Sequence, residues 1–504
     1  MKIKWMQDSS PEQMGVSSDR ILNYLRRLEK EGFCLHGFCL IRHNRIISEG
    51  YCAPFHANRT HRMYSVSKSF VALAVGLLQD EGKIRLDDPI CQYFQDSQPE
   101  EIHPWVREMT IRDMLRMATA FYTSPYEMTD NPEHDWIRMT FECAPTHRPG
   151  QVFSYDTSVA TMLAALVEEQ SGMELTQYLR DRLGPLELSP NMDCVKIPNG
   201  QSSWGGSGIL CTQRDFAKLA LLSLHHGEWE GTQLISREYM DLAVTKQIEN
   251  GQDGYGYQFW MTQRGFAMKG MGGQMAYCLP KEDMVLMTTA DMQSDSAKIG
   301  WAEMLFYDQI ADESSDAPLP ENPESWQKLK EYCREMKVLP KSGGLSSPVS
   351  GMISGKTYRM TQNEKGTWES LNLEMVRLDF DKDRGSLTWG IGGELYKLDF
   401  GLGYFIQQDF PGFASEEEVK GRSPIVYWYE GEKPAIHMPC IVSGAWQRDT
   451  VLELLCYTIG DFLGTLKIRL VFDRKNITVR MEKFAEKFWS QLQGFQTGTE
   501  ELNE

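Results

Sequence analysis

The sequence lacks any apolar run long enough to form a membrane-spanning helix. No segment of the 504 residues approaches about 18 uninterrupted apolar positions. The N-terminal stretch MKIKWMQDSSPEQMG also lacks the apolar core of a signal peptide. We therefore expect a cytoplasmic protein with no membrane partner.

Motifs for metal and cofactor binding are missing as well. The 11 cysteines form no C-x-x-C pair and accompany no histidine cluster, and no H-E-x-x-H sequence occurs. An odd number of cysteines in mostly apolar surroundings predicts reduced structural thiols. We expect no cofactor and no bound metal. The absence of G-x-S-x-G excludes the nucleophile elbow of α/β-hydrolases.

Positive charge is scarce. The chain has 52 Lys and Arg residues against 70 Asp and Glu residues, which gives a net charge of -18. Such a charge disfavours nucleic acid and anionic membranes as partners. A hydrophobic content of 41% and a charged content of 24% are typical of globular proteins. The expected partner is a small molecule, and composition leaves the oligomeric state open.

The order of helical and strand patterns indicates two domains, since the chain is too long for one ordinary core. Residues 1–312 predict an α+β domain in which helices flank an antiparallel sheet, with a largely helical insertion at about 85–250. Residues 313–351, rich in Pro, Ser and acidic residues, predict a linker with a short helix. Short alternating strands over 352–485 predict an all-β barrel or sandwich, and 486–504 predict a polar tail.

Several individual elements have clear signals. Apolar spacing over 16–32 predicts a first helix, and 156–171 predicts another that Gly172 ends. A series of strands is expected between 254 and 291, beginning with YGYQFWM.

The most informative motif is Ser65-Val66-Ser67-Lys68, which opens a long apolar helix. A spacing of three places the Ser65 hydroxyl and the Lys68 amine on one helical face. The helix N-terminus adds partial positive charge where an oxyanion would form. A lysine buried by the following FVALAVGLL run has a lowered pKa and can act as a base. The alternative is that Ser65 only caps the helix.

A second S-x-x-K sequence begins at Ser325 and ends at Lys328. It follows a Pro- and Glu-rich stretch and starts a polar helix, so burial would not lower the pKa of Lys328. Here we predict that Ser325 is only a helix N-cap.

A serine nucleophile also needs a proton shuttle and an oxyanion hole. Tyr155 precedes a helix and is the shuttle candidate; a packed aromatic ring is the alternative. Gly270 lies where a strand enters a glycine-rich turn, and the N–H of Met271 can pair with that of Ser65 as the oxyanion hole. The alternative for this turn is an ordinary hairpin.

Taken in this order, the motifs resemble the serine β-lactamase and penicillin-binding-protein superfamily. The resemblance covers about residues 10–310 and is nearest to the class C β-lactamase-like branch, which includes esterases, D-aminopeptidases and 6-aminohexanoate-dimer hydrolases. It includes S-x-x-K, the Tyr155-Asp156-Thr157 triplet at the Y-x-N position, and Met268-Lys269-Gly270 at the K/H-x-G position. TIRDMLRMAT, HRPGQVFSYD, GGSGILCTQRDFAKLA and GMGGQ also look like the family.

The resemblance implies a β-lactamase/transpeptidase-like fold. It implies that Ser65 is acylated, that Lys68 and Tyr155 move protons, and that Thr157, Met268 and Gly270 line the substrate site. The C-terminal part is similar to the lipocalin-like barrel domains that some members carry.

Two positions depart from the family pattern. Thr157 replaces the usual Asn, although its hydroxyl can still bond a substrate or Lys68. Met268 replaces the Lys or His that helps to bind a substrate carboxylate, and Lys269 should point to the opposite strand face. We therefore expect a serine hydrolase acting on a small ester or amide without that carboxylate anchor. The alternatives are β-lactamase or D-amino-acid peptidase activity, or a catalytically weak binding protein on the same scaffold.

Overall fold

The chain folds into two units, Met1–Lys337 and Val338–Glu504. The computed structural model describes residues 9–125, 135–197, 202–361, 371–412, 438–486 and 488–501. Within these ranges, no helix is both long and apolar enough to cross a membrane.

The described part of the first unit alternates between helices and strands. The helices are α1 (Ser18–Lys30), α2 (Val66–Asp80), α3 (Pro104–Glu108), α4 (Ile111–Leu115), α5 (Trp136–Glu142), α6 (Thr157–Ser171), α7 (Leu175–Arg182), α8 (Gln213–Leu224), α9 (Arg237–Ala243), α10 (Ala297–Phe306) and α11 (Pro323–Glu335). The strands are β1 (Leu35–Arg42), β2 (Arg45–Tyr51), β3 (His61–Arg62), β4 (Asp193–Cys194), β5 (Ile209–Cys211), β6 (Glu228–Trp229), β7 (Thr232–Gln233), β8 (Trp260–Thr262), β9 (Gly265–Gly270), β10 (Gln274–Leu279) and β11 (Met284–Ala290). Short 3-10 segments lie at Pro11–Met14, Ile90–Tyr93, Gln95–Ser97, Gly184–Leu186 and Gln293–Asp295, and a π-helical turn follows α10 at Tyr307–Ala311.

A six-stranded antiparallel sheet in the order β2-β1-β11-β10-β9-β8 forms the centre of the first unit. Helix α8 packs against β1, β10 and β11. On the opposite face, Tyr24 of α1 and Tyr277 of β10 both contact the ring of Phe306 in α10. Helices thus cover both faces, which explains why β1, β10 and β11 are buried along their whole length instead of alternating.

Helix α2 is buried from Val66 to Leu78 and packs against α6, α7, α9 and β9. It has apolar residues on all sides because it has neighbours on all sides. Gly76 belongs to this packing, since an added Cβ would lie 2.5 Å from the ring of Tyr239. Surroundings of this kind exclude water from the polar residues that the helix carries in its first turn.

Strands β12 to β21 and one short helix make up the described part of the second unit. The helix is α12 (Ser350–Ile353), and the strands are β12 (Thr357–Met360), β13 (Met375–Asp381), β14 (Arg384–Ile391), β15 (Glu394–Leu402), β16 (Ile406–Asp409), β17 (Pro439–Arg448), β18 (Val451–Thr458), β19 (Gly464–Asp473), β20 (Asn476–Ala485) and β21 (Gly494–Glu500). Successive strands pair in the order β15-β14-β13-β12-β21-β20-β19-β18-β17. A parallel pairing of β15 with β17, Gly401 to Ser443 and Leu402 to Gly444, closes these nine strands into a barrel. β16 lies beside β17.

Two boundaries differ from the prediction. Helix α11, expected in the linker of residues 313–351, packs against α1 and β2 and belongs to the first unit. The expected polar tail of residues 486–504 contains β21, which pairs with β12 and β20. Its inward-facing Gln496 is satisfied by backbone groups, donating to the carbonyls of Thr361 and Leu373 at 2.9 Å. The strand therefore lacks the apolar alternation that would have revealed it.

Two local predictions also need correction. Within the YGYQFWM stretch, strand β8 begins only at Trp260, because left-handed backbone at Gln258 interrupts the extended chain. The N-cap of α11 is Asn322, whose side chain accepts the N–H of Ser325, so Ser325 lies inside the first turn.

Candidate active site

Ser65 is the residue that precedes α2, but its side chain does not cap the helix. Its backbone is already helical, with φ -66° and ψ -10°, and its hydroxyl accepts no capping hydrogen bond. Instead, the Nζ of Lys68 donates to Ser65 Oγ at 3.0 Å. Ser65 remains partly exposed. The hydroxyl is therefore directed towards the amine and open to a ligand.

Lys68 is buried, with 1% of its surface exposed. Besides Ser65, its amine donates to the carbonyl oxygen of Gly206 at 2.6 Å. Burial lowers the pKa of Lys68 to about 7, and the nearby carboxylate of Asp156 opposes this shift. The amine is consequently divided between its charged and neutral forms near neutral pH, as a general base requires.

The carboxylate of Asp156 raises the pKa of Lys68 by stabilising its charged form. Asp156 is the N-cap of α6, and its carboxylate accepts the backbone N–H of Ser158 at 2.8 Å and the hydroxyl of Ser158 at 2.7 Å. These bonds and its 2% exposure fix its position. One carboxylate thus both starts the helix after Tyr155 and keeps the pKa of Lys68 from falling further.

Tyr155 directs its hydroxyl towards Ser65. Although 38% of the residue is exposed, burial around the hydroxyl raises the pKa to about 12, and a hydrogen bond with Ser65 partly opposes the shift. The Lys68 amine lies 5.0 Å from the centre of the tyrosine ring. Tyr155 therefore stays protonated at neutral pH, so it can relay a proton but is not present as a tyrosinate that could serve as the base.

The strand edge at Gly270 lies directly against the Ser65 turn. An added Cβ at Gly270 would be 2.5 Å from the carbonyl oxygen of Met63 and 3.2 Å from Val66 Cγ2. The glycine is needed here for close backbone packing, whereas the sequence pattern predicted a need for the approach of a substrate. Among the described residues, the backbone N–H groups of Ser65 and Met271 donate no hydrogen bond. Both donors are thus available for the oxyanion hole, which stays a prediction.

Of the other residues predicted to line the substrate site, Met268 is buried and Thr157 is half-buried. Met268 is 0% exposed within the core of the first unit, so its side chain has no surface to offer a substrate. Lys269 points the other way, as strand alternation requires, and pairs with Glu303 at 3.3 Å. Thr157 is half-buried at the start of α6, with its methyl group against Gly206.

An aromatic cluster surrounds Tyr155. Its ring centre lies 5.3 Å from that of Trp260 and 6.4 Å from that of Tyr255, and Phe153 packs 5.2 Å from Tyr255. Trp260 and Phe153 are each partly exposed. The ring of Tyr155 therefore belongs to an aromatic cluster whose members Phe153 and Trp260 reach solvent in part.

Sequence reasoning missed the loop at Gly205 and Gly206, which holds the amine of Lys68 through a backbone carbonyl. An added Cβ at Gly205 would lie 2.5 Å from the carbonyl oxygen of Ala160, and one at Gly206 would lie 2.4 Å from that of Thr157. The two glycines let the loop lie flat on α6. The paired glycines of GGSG were the available signal, but a backbone acceptor has no side chain to identify it.

No group of three or more His, Cys, Asp or Glu side chains in the described ranges is arranged to hold a metal ion.

Comparison with known proteins identifies the family of the chain. A profile of the Beta-lactamase family matches residues 36–305, more than half of the chain. The 6-aminohexanoate-dimer hydrolase of Paenarthrobacter ureafaciens is 25% identical over 316 residues, covering 55% of this chain and 79% of that protein. The family match confirms the resemblance that the motifs indicated.

Penicillin-binding protein homologues are among the solved structures that are similar to the chain. A penicillin-binding protein homologue from Caulobacter crescentus has a TM-score of 0.46 at 15% identity, over 56% of this chain and 92% of its own. An octameric penicillin-binding protein homologue from Pyrococcus abyssi has a TM-score of 0.41 at 14% identity, over 95% of this chain and 99% of its own.

We predict that Gly270→Ala slows the reaction of Ser65 with a fluorophosphonate probe by about 10- to 100-fold. The new Cβ would push the strand edge away from the Ser65 turn. The matched control is Gly300→Ala in α10, where an added Cβ meets nothing within 4 Å and alanine favours the helix. Probe-labelling rates of the three proteins provide the measurement. Equal rates for Gly270→Ala and Gly300→Ala would contradict the close packing.

Proposed function

Because the chain belongs to the β-lactamase family, we propose that it is a serine hydrolase that forms an acyl-enzyme on Ser65 and hydrolyses a small ester or amide. The observation that carries this proposal is the contact of 3.0 Å between Ser65 Oγ and the buried amine of Lys68. A hydroxyl becomes a useful nucleophile when a neutral base adjoins it. Lys68 can be that base because burial lowers its pKa to about 7.

In the proposed first step, neutral Lys68 accepts the proton of the Ser65 hydroxyl while Oγ forms a bond to the substrate carbonyl carbon. The electron pair of the C=O bond moves to oxygen, and the N–H groups of Ser65 and Met271 bind the resulting oxyanion. When the C=O bond re-forms, the bond to the leaving alcohol or amine breaks. The leaving group takes its proton from Lys68 through the hydroxyl of Tyr155.

The second step releases the acyl group. Water attacks the Ser65 ester and gives a proton to Lys68, and the oxyanion again forms on the carbonyl oxygen. Cleavage of the ester frees a carboxylic acid and returns the proton to Ser65 Oγ. No cofactor enters either step.

We expect a substrate that needs no carboxylate bound at the Met268-Lys269-Gly270 segment. Met268 is buried and uncharged, while Lys269 pairs with Glu303 away from Ser65. The partly exposed side chains that accompany Tyr155 are Phe153 and Trp260, which favour an apolar group on the substrate. The relative from Paenarthrobacter ureafaciens is named for hydrolysis of an amino-acid dimer, which supports the amide alternative. The buried Met268 and the paired Lys269 disfavour β-lactam and D-amino-acid peptide substrates, whose carboxylate would need a cation at this position.

We predict that Ser65→Ala abolishes covalent labelling by a fluorophosphonate and lowers hydrolysis of short acyl esters and amides by about 1,000-fold or more. Ser325→Ala is the matched control, since it alters the second S-x-x-K sequence, whose Lys328 pairs with Glu324 instead. The control should label and hydrolyse as the wild type does. Nitrocefin and D-amino-acid amides form the comparison substrates.

Absence of labelling in the wild type, with a ligand still bound by Ser65→Ala, would instead identify a binding protein. Turnover of nitrocefin faster than that of the esters and amides would overturn the proposed substrate class.

We predict that log kcat/KM for ester hydrolysis rises with pH below about 7 and is level above it. The rate rises with pH because only neutral Lys68 accepts a proton, and the neutral fraction of Lys68 grows as the pH passes its pKa of about 7. Tyr155→Phe should lower the rate but keep the midpoint, since the pKa of Tyr155 is about 12. A wild-type midpoint above about 9 would contradict a base whose pKa burial has lowered to about 7, since an ordinary lysine titrates near pH 10.

A further inference from the structure

Arg62 lies three residues before Ser65 and is buried, with 1% of its surface exposed. Its guanidinium carbon lies over two aromatic rings, 4.4 Å from the centre of the Tyr64 ring and 4.7 Å from that of the Trp204 ring. Tyr64 directly precedes Ser65, whereas Trp204 belongs to the loop that contains Gly206. One planar cation thus stacks against both segments that form the site.

Hydrogen bonds strengthen the same connection. Arg62 Nε donates to the carbonyl oxygen of Ser207 at 2.9 Å, and a terminal nitrogen donates to Ser207 Oγ at 3.2 Å. Ser207 immediately follows Gly206, whose carbonyl accepts the Lys68 amine at 2.6 Å. The guanidinium therefore contacts the loop on both sides of Gly206, since it stacks on Trp204 and bonds to Ser207.

Other contacts hold the opposite end of this loop. The carboxylate of Glu168 accepts the hydroxyls of Ser202 and Ser203, each at 2.6 Å. The loop is therefore fixed by Glu168 before Trp204 and by Arg62 after it. Arg62 also belongs to the segment that leads into Ser65, so it joins the loop to the nucleophile.

The backbone beside Ser65 is strained. Tyr64 has a φ of 49°, a left-handed conformation that is unfavourable for a residue with a large side chain. Its buried ring packs on Arg62 at 4.4 Å. This contact stabilises the conformation that starts α2 at Ser65.

We propose that Arg62 is a positioning residue, which fixes the Gly206 carbonyl relative to Ser65 and so orients the Lys68 amine towards the Ser65 hydroxyl. The proposal rests on the proposed function, in which Lys68 and Ser65 are the reacting pair. A lysine at position 62 would keep the charge but would lose the planar stacking and the two-pronged bond to Ser207.

The test compares Arg62→Lys with Arg42→Lys. Arg42 is also 1% exposed and donates to backbone carbonyls, those of Glu282 and Met14 among them, but its hydrogen bonds reach none of the residues of the site. Each variant is titrated with a fluorophosphonate to count reactive sites, and the labelling rate per reactive site is then measured across pH.

We expect Arg62→Lys to lower the labelling rate per reactive site by about 10- to 100-fold. Its pH midpoint should also fall below that of the wild type, because the Gly206 carbonyl stabilises the charged amine and would be displaced. The groups that face Lys68 in this titration are Asp156 and Tyr155. Arg42→Lys should keep the wild-type rate and midpoint per reactive site, even if it unfolds at a lower temperature.

An unchanged rate and midpoint per reactive site in Arg62→Lys would overturn the positioning role, whether or not fewer molecules fold.

If that variant does not fold, Ser207→Ala replaces it, because it removes only the 3.2 Å hydrogen bond between Arg62 and Ser207 Oγ. We expect Ser207→Ala to lower the labelling rate per reactive site by about 3-fold. An unchanged rate would overturn the proposal. Failure of the wild type to label would instead contradict the proposed function, in which Ser65 is the nucleophile.

Discussion

The burial of the Lys68 amine is the constraint on which the site depends. An ammonium group removed from water is unfavourable unless nearby groups stabilise it. Here the Gly206 carbonyl and the Asp156 carboxylate do so only in part, and the pKa falls to about 7. The unfolded chain therefore binds more protons than the folded chain between about pH 7 and 10.5, so the contribution of Lys68 to the free energy of unfolding rises with pH across that window. The protein thus gives up stability at neutral pH to obtain a neutral base.

The fold provides this environment through close backbone packing. Helix α2 can bury a lysine in its first turn because α6 and β9 pack against it. Glycine at position 270 lets a strand edge approach this turn, and glycine at positions 205 and 206 lets a loop lie against α6, where the Gly206 carbonyl accepts the Lys68 amine. The backbone acceptor of the Lys68 amine is therefore placed by packing between the loop and α6, while the side chains of Lys68 and Tyr155 contact Ser65.

Much of the candidate site could be predicted from the sequence because its side chains carry the signal. Ser65 and Lys68 share a helical face at a fixed spacing, and Tyr155 precedes a helix with a clear start. The Gly206 acceptor, the effect of Asp156 on Lys68 and the stacking of Arg62 could not be predicted, since each joins segments that are distant in the chain. The same reason explains β21, whose inward Gln496 is satisfied by the backbone carbonyls of Thr361 and Leu373, which are distant in the chain.

A titration of the Lys68 amine by NMR would show directly whether burial makes this amine partly neutral near pH 7. With lysine labelled by ¹³C at Cε, the resonance of Lys68 is the one absent from Lys68→Met. We predict that this resonance titrates with a midpoint near pH 7, while exposed lysines titrate at about pH 10. A Lys68 midpoint at about pH 10 would show that the amine stays charged at neutral pH and would contradict its role as the base.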